Sequence, residues 1–331
     1  MKANLLRLSC FLLGCCLAAA ALAAPPRIAM ILWRGETEVE RGFRNYLAER
    51  KVDAHIEVHD LDRDLARLPE VLKRLRANPP DLVYTWGTSI TLGVAGPWNA
   101  RNPDKYLQGV PILFTMVAAP EETGIAPPPA APVRRWITGV SHIAPLDAQI
   151  NAMRSYLPLN KLGIVFNPLE ANSRSNVEAL RQQARAQNFS LLEAPLPIGQ
   201  DGQPEAAAIP RLVRDLAKRG AQLLYIGPDS FIGIHRDTLT AAGIANGLPC
   251  FTATELELRA GEAMFGLVSR YDMVGRLTAA KAMAILLERR SPAEVPIETL
   301  ERFTYLIRLP VAQRLKLYPP LPLLRYAEII K

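Results

Sequence analysis

From Arg27 onward the chain alternates short β-branched runs with amphipathic helical stretches, and that alternation leaves few folds open. "RIAMILW" (27–33) reads as a strand, "EVERGFRNYLAER" (38–50) as a helix, "VDAHIEVHD" (52–60) as a strand and "RDLARLPEVLKRLRAN" (63–78) as a helix. "PDLVYTWG" (80–87), "TSITLGVAG" (88–96) and "GVPILFTMV" (109–117) continue the pattern. Apolar runs without in/out alternation, separated by amphipathic helices, point to a parallel sheet covered on both faces. "APPPAAPVRRW" (126–136) reads as a proline-rich surface loop, and after "ITGVSHI" (137–143) the alternation starts again. Helices are expected over 145–157, 173–188, 204–219 and 231–246, with strands over 161–167, 190–196, 221–227 and 248–253. "EAMFGLVSR" (262–270) adds a strand, 272–290 a long helix and 299–309 an extended segment. Two βα sets in series predict an α/β chain of two doubly wound parallel-sheet lobes joined by a hinge. The expected division is 24–138 plus 272–296 for the first lobe and 139–271 plus 297–331 for the second.

The segment before Arg27 has a basic start (Lys2, Arg7), an apolar run from Leu8 to about Leu22, and small residues ahead of Pro25 and Pro26. This is the pattern of an export signal, with Ala21 and Ala23 directing a cut after Ala23 and a periplasmic destination. "LLGC" offers a second reading, in which Cys15 is lipidated and tethers the protein; Leu13 fits that pattern poorly. A membrane-spanning helix is disfavoured, because too few apolar residues precede the proline pair. Removing 1–23 takes away two basic and no acidic side chains, so the formal charge falls from +7 to +5. That mild excess is spread among acids along the chain, which argues against a nucleic-acid partner. Cys10, Cys15 and Cys16 lie in the signal, leaving Cys250 as a lone thiol and apolar burial as the source of stability.

In open α/β sheets, ligands sit beyond the carboxyl ends of the strands. That rule selects the loops after Leu32, Trp86, Thr115, Phe166, Ile226 and Phe251. Two lobes facing each other with those ends enclose a cleft suited to a small molecule. The loops carry "WGTSIT", "FTMVAAPEETG", "FNPLEANS", "IGPDSFIG" and "FTATE". An anion at a helix start gains up to ~2 kcal/mol from free N–H groups and the helix dipole. Each charge-assisted hydrogen bond adds about 1.5–3 kcal/mol. Asn172 and Ser173 can hold a carboxylate, or can simply cap a helix. Asp229 can accept from an ammonium group, or can cap the residues from 231 onward.

These loops, in their order and spacing, resemble a known family. "GTSIT" (87–91), "VPILFTMVAAPEETGI" (110–125), "ITGVSHIAPLDAQI" (137–150), "LGIVFNPLEANS" (162–173), "YIGPDSFI" (225–232), "YDMVGRLTAAKAMAILLERRSPAEVPIET" (271–299) and "AQRLKLYPP" (312–320) carry the resemblance. It is to periplasmic ABC-transporter substrate-binding proteins of the group with tryptophan- and tyrosine-binding members, which have a type I periplasmic-binding fold. The resemblance implies ligand-facing positions at Thr88, Ser89, Met116, Val117, Asn172, Ser173, Asp229, Ser230, Thr252 and Tyr271. It also implies a small-molecule ligand and either an ABC permease or a membrane sensor protein as partner. One loop departs from the family pattern: many relatives have a His-Pro segment after the first strand, where this chain has "WRGETEVERGF". Trp33 and Arg34 then stand at the mouth of the cleft, able to stack on a flat ligand and to bind an acidic group, or else Trp33 finishes the core and Arg34 is solvated.

No enzyme signature is found: G-x-S-x-G, the Walker G-x-x-x-x-G-K, G-x-G-x-x-G after the first strand and a mature C-x-x-C are all missing. His55 and His59 share a strand face without a nearby third ligand, so neither a metal nor another cofactor is expected. Cys250 follows Pro249 in an apolar strand and reads as a buried thiol.

Overall fold

A computed structural model describes residues 24–100, 102–132 and 134–331; the segment expected to be an export signal, with Cys15, lies outside them. The first half of the chain builds β1 (Arg27–Leu32), α1 (Glu38–Glu49), β2 (His55–Asp60), α2 (Leu68–Ala77), β3 (Leu82–Trp86), α3 (Thr88–Ala95), β4 (Ile112–Val117) and β5 (Ile137–Ser141). The second builds α4 (Leu146–Tyr156), β6 (Lys161–Phe166), α5 (Ala171–Gln187), β7 (Ser190–Pro195), α6 (Ile209–Lys218), β8 (Leu223–Ile226), α7 (Ser230–Ile234), α8 (Arg236–Ala245), β9 (Cys250–Thr252), α9 (Leu256–Arg259) and β10 (Phe265–Val268). The chain then returns through α10 (Tyr271–Leu286) and closes with β11 (Thr304–Arg308), α11 (Leu309–Leu315) and β12 (Glu328–Ile330).

The strands form two sheets, ordered β2-β1-β3-β4-β5 and β12-β11-β10-β9-β8-β6-β7. The first is wholly parallel; in the second only the β10–β11 pair is antiparallel. Both central faces of each sheet are buried, as runs without alternation require. In the first sheet, Ala29, Ile31, Val83, Ile112 and Phe114 pack under α2 and α3. Ile28, Met30, Leu32, Tyr84 and Leu113 face the other way, onto Phe43 of α1 and Ala279, Ala282 and Ile285 of α10. In the second sheet, Leu162, Ile164, Tyr225 and Phe251 pack on α4 and α5, while Val165, Leu224, Ile226 and Cys250 pack on α6 and α8.

Three details differ from the sequence expectation. The helix expected over 231–246 is two helices, broken where His235 leaves helical angles (φ −99°, ψ 20°). The short α9 and α11 and the edge strand β12 offered too few residues for a periodic signal. Two helices are each preceded by a single 3₁₀ turn, at Leu65–Arg67 and Ala206–Ala208.

The long helix α10 leaves the second sheet at β10 and packs on the first, against α1. Glycines make that contact: a Cβ at Gly275 would lie 1.9 Å from the Val39 carbonyl oxygen, and one at Gly42 would lie 2.1 Å from that of Asp272. Both obstacles are backbone, so neither can swing aside. Gly275→Ala is therefore expected to destabilise the protein by about 1–3 kcal/mol in urea unfolding, the range for overpacking. A loss below about 0.5 kcal/mol, the range of ordinary surface changes, would show that the close approach is dispensable.

Candidate functional site

The carboxyl ends of β1, β3, β4, β6, β8 and β9 converge on one cavity. Trp33 and Arg34 come from the loop after β1, Trp86 and Thr88 from the β3–α3 turn, and Met116 from β4. The second half contributes Asn172, Asp229, Ser230, Thr254 and Glu257, while His142 and Tyr271 stand where the chain crosses between halves. The lining atoms enclose about 530 Å³ of space, part of it open to solvent. A neighbouring chamber of about 1240 Å³, part of it likewise open to solvent, shares the Trp33, Trp86, Thr88 and Ser230 walls and continues past Ser89, Leu169 and Phe231.

Eight of the twelve positions expected from sequence therefore line the first cavity: Trp33, Arg34, Thr88, Met116, Asn172, Asp229, Ser230 and Tyr271. Ser89 faces the neighbouring chamber. Val117, Ser173 and Thr252 line neither, each at most 3% exposed. Ser173 is one contact removed, donating to Asp229 Oδ2 at 2.8 Å. Thr252 supports Glu257, donating to its Oε2 at 3.2 Å. The sequence reading passed over His142 and Glu257. Glu257 lies just beyond "FTATE", on the short α9 that follows a loop the strand-end rule had already selected, two residues from the Glu255 at that loop's end.

The two walls differ in what they have left to offer a guest. On the first-sheet side, Gly87 takes a positive φ (+81°) that turns the chain sharply into α3, which starts with no side-chain cap. Gly87 N–H bonds Thr115 and Thr91 N–H bonds Gly87, so Thr88, Ser89 and Ile90 present the N–H groups that a first turn leaves unpaired. The indole Nε1 atoms of Trp33 and Trp86 are buried without a partner. Arg34 stacks on Trp86, its Cζ 5.5 Å from the ring centroid, and burial lowers its pKa. This wall is a set of donors plus one cation.

On the second-sheet side the backbone donors at the start of α7 are spent internally. Glu170, in the β6–α5 loop, accepts from Ser230 N–H and Phe231 N–H, each at 3.0 Å. Asp229, in the β8–α7 loop, accepts from Asn167 N–H at 2.7 Å, from Ser173 and from Ile232 N–H at 2.9 Å. Asp229 is thus the N-cap of α7, the alternative that its position in the sequence allowed. Asn172 donates from Nδ2 to the Pro228 carbonyl oxygen (2.7 Å) and to Glu170 Oε2 (3.2 Å). Both partners are acceptors, which fixes the orientation of the amide. What Asn172 keeps free is Oδ1, buried and unpartnered. His142 Nδ1 is likewise unpartnered, and burial lowers the pKa of that ring to about 4, so it is neutral near pH 7.

Among the described residues, no three His, Cys, Asp or Glu side chains group in a way that could hold a metal ion. Cys250 is buried and its thiol pKa is pushed up to about 12 by desolvation. No helix of the described residues is long and apolar enough to cross a membrane.

Known proteins share this architecture. The family described as ABC transporter substrate binding protein matches residues 29–331. A tyrosine-binding protein of Clostridioides difficile is 22% identical over 254 residues, covering 76% of this chain and 68% of that one. A conserved domain protein of Vibrio cholerae superposes with a TM-score of 0.78 at 19% identity, covering 93% of this chain and all of that one. A pneumococcal ABC domain in complex with L-Trp gives 0.75 at 17% identity, covering 92% of this chain and all of that one. At such identities the structural likeness speaks for fold alone, the two-lobed type I periplasmic-binding fold.

Burial, with the neighbouring Glu170 carboxylate, pushes the Asp229 pKa from 3.8 up to about 7. The folded state then binds more protons than the unfolded state between those values, so this group makes stability fall as pH rises through that window. Urea unfolding of ligand-free protein at pH 4.5 and 7.5 should show the fall in wild type and a smaller one in Asp229→Asn. Equal pH dependence in the two proteins would contradict the assignment.

Proposed function

Since the chain belongs to the family of ABC transporter substrate-binding proteins, we propose that it captures a small carboxylate-bearing solute, an amino acid or a close relative, between its lobes for an ABC importer. The observation that carries this reading is the cavity lined from both sheets, with unpaired donors on one wall and unpaired acceptors on the other. A buried polar atom without a partner costs about 1–3 kcal/mol, so a guest that satisfies several of them is strongly favoured. The tyrosine-binding relative and the L-Trp complex support an amino acid as the guest. They are binding proteins, which supports a role without catalysis. The export signal supports a periplasmic site of action, with Cys15 as a tether if the signal is of the lipoprotein kind.

The carboxylate belongs on the first wall, on the N–H groups of Thr88 and Ser89 with Arg34 alongside, where helix dipole, free donors and a cation all favour negative charge. The aromatic faces of Trp33 and Trp86 and the adjoining chamber leave room for a side chain. Closure turns on three crossings; the division expected at 138/139 and 296/297 falls inside β5 and its bridge to Glu298, which belong to the first sheet, so the crossings lie near 142, 271 and 299–303. Solute stabilises the closed form only by its differential affinity for that state.

A thermal-shift screen of refolded, ligand-stripped protein against amino acids, small carboxylates, nucleobases and sugars tests the reading. A solute at 100 times its Kd should add about 2.7 kcal/mol of stability. The hits should carry a carboxylate, and Arg34→Gln should weaken them by about 1.5–3 kcal/mol, the value of a charge-assisted hydrogen bond. Stabilisation by a neutral sugar, with none by any carboxylate, would refute the proposal.

A further inference from the structure

The second wall holds a carboxylate that neither the fold nor the binding of an anion explains. Glu257 is 3% exposed and lines the cavity from α9. Its Oε2 is pinned by the hydroxyls of Thr252 and Thr254. Its Oε1 accepts no hydrogen bond from another described residue and lies beside Gly233, another lining residue. Arg34 is close enough for its charge to interact with that of Glu257, yet the two form no ion pair, and Arg34 stacks on Trp86 instead. A buried carboxylate with one free oxygen and no cation in contact is costly unless something else supplies the charge.

The second acceptor is independent of the first. Asn172 is 7% exposed, comes from α5, lines the same cavity and keeps a buried, unpartnered Oδ1 after committing both amide hydrogens elsewhere. The main alternative acids on this wall are not available: Asp229 and Glu170 already take their donors from the loop backbones. An ammonium group has three donors and no acceptor, which matches a free carboxylate oxygen and a free amide oxygen.

We propose that Glu257, seconded by Asn172 Oδ1, receives a cationic group on the solute, so that the cleft selects zwitterions over simple carboxylates. The inference rests on the carboxylate reading of the first wall and adds the other half of the guest. It assigns opposite charges of one molecule to opposite lobes, so that only a zwitterion bridges them with both ends satisfied.

The test measures Kd by calorimetry for L-tryptophan against indole-3-propionate, for L-tyrosine against 3-(4-hydroxyphenyl)propionate, and for the other amino acids against their deaminated acids. Wild type should prefer the amine-bearing member of the bound pair by about 10- to 100-fold, the value of a charge-assisted bond. Glu257→Gln keeps the side-chain shape and should bring the pair within about threefold, with the change falling on the amino acid, while Glu257→Asp should retain a preference. The wild-type comparison stands even if a variant does not fold. Equal affinity of wild type for both members, or a preference that survives in folded Glu257→Gln, overturns the inference and leaves the carboxylate site standing. Binding of no carboxylate-bearing probe at all removes both.

Discussion

Two loops at the carboxyl ends of β6 and β8 exchange carboxylates, and the character of the cleft depends on that exchange. Glu170 from one loop takes the first two N–H groups of α7 in the other, and Asp229 takes Asn167 N–H in return. Asp229 also takes the third N–H of α7. Every donor at that helix start is consumed inside the protein. The start of α5 has no side-chain cap, but its first turn already lies against these same two acids through Asn172 and Ser173. The second wall can no longer attract an anion by dipole, and its free side-chain atoms are oxygens.

The first wall is built the opposite way. A glycine in the left-handed region begins α3, no side chain caps it, and the tryptophans around it bury N–H groups without partners. Buried unpaired groups are rare in folded proteins because each costs free energy. Four of the residues that carry them line the cavity, with donors on Trp33 and Trp86 and acceptors on Asn172 and His142, an arrangement that a guest could complete. Size adds a second filter, since the aromatic walls open into the larger chamber rather than ending at the polar pocket.

Most of the architecture was legible in the sequence because parallel strands write themselves as unbroken apolar runs. "KLGIVF" and "ILFTMV" needed no context to be placed. The strand-end rule then found the loops, and Thr88, Asn172 and Asp229 do meet at one cavity. What the sequence could not reveal was which atoms of those residues remain free. The order "EANS" looks like a carboxylate holder until Pro228 and Glu170, one of them 56 residues away, claim the amide hydrogens of Asn172. Ser173 turns inward for the same kind of reason, through Asp229. Glu257 escaped because a Glu in a short, charge-rich helix has no pattern of its own; only burial beside Thr252 and Thr254 sets it apart from Glu255.

Those two glutamates show how the site is tied to the frame. Glu255 accepts from Tyr271 N–H at 2.7 Å and pairs with Arg259 and Arg270, so it fixes the start of α10 where the chain leaves the second sheet. Glu257, two residues on, reaches the cavity from α9, the short helix that Glu255 precedes as N-cap. At its other partner, α10 lies backbone to backbone on α1 through Gly275 and Gly42, and α1 begins four residues after Arg34. A continuous run of packed elements thus joins the acceptor on one wall to the cation on the other. Arg34 itself stands in the β1–α1 loop, and α10 with its glycine contact holds the frame from which that loop springs. A cleft that takes both ends of one small molecule needs that frame to return to one spacing each time the lobes close, because an error of an ångström at either end forfeits the hydrogen bond that makes the charge worth burying.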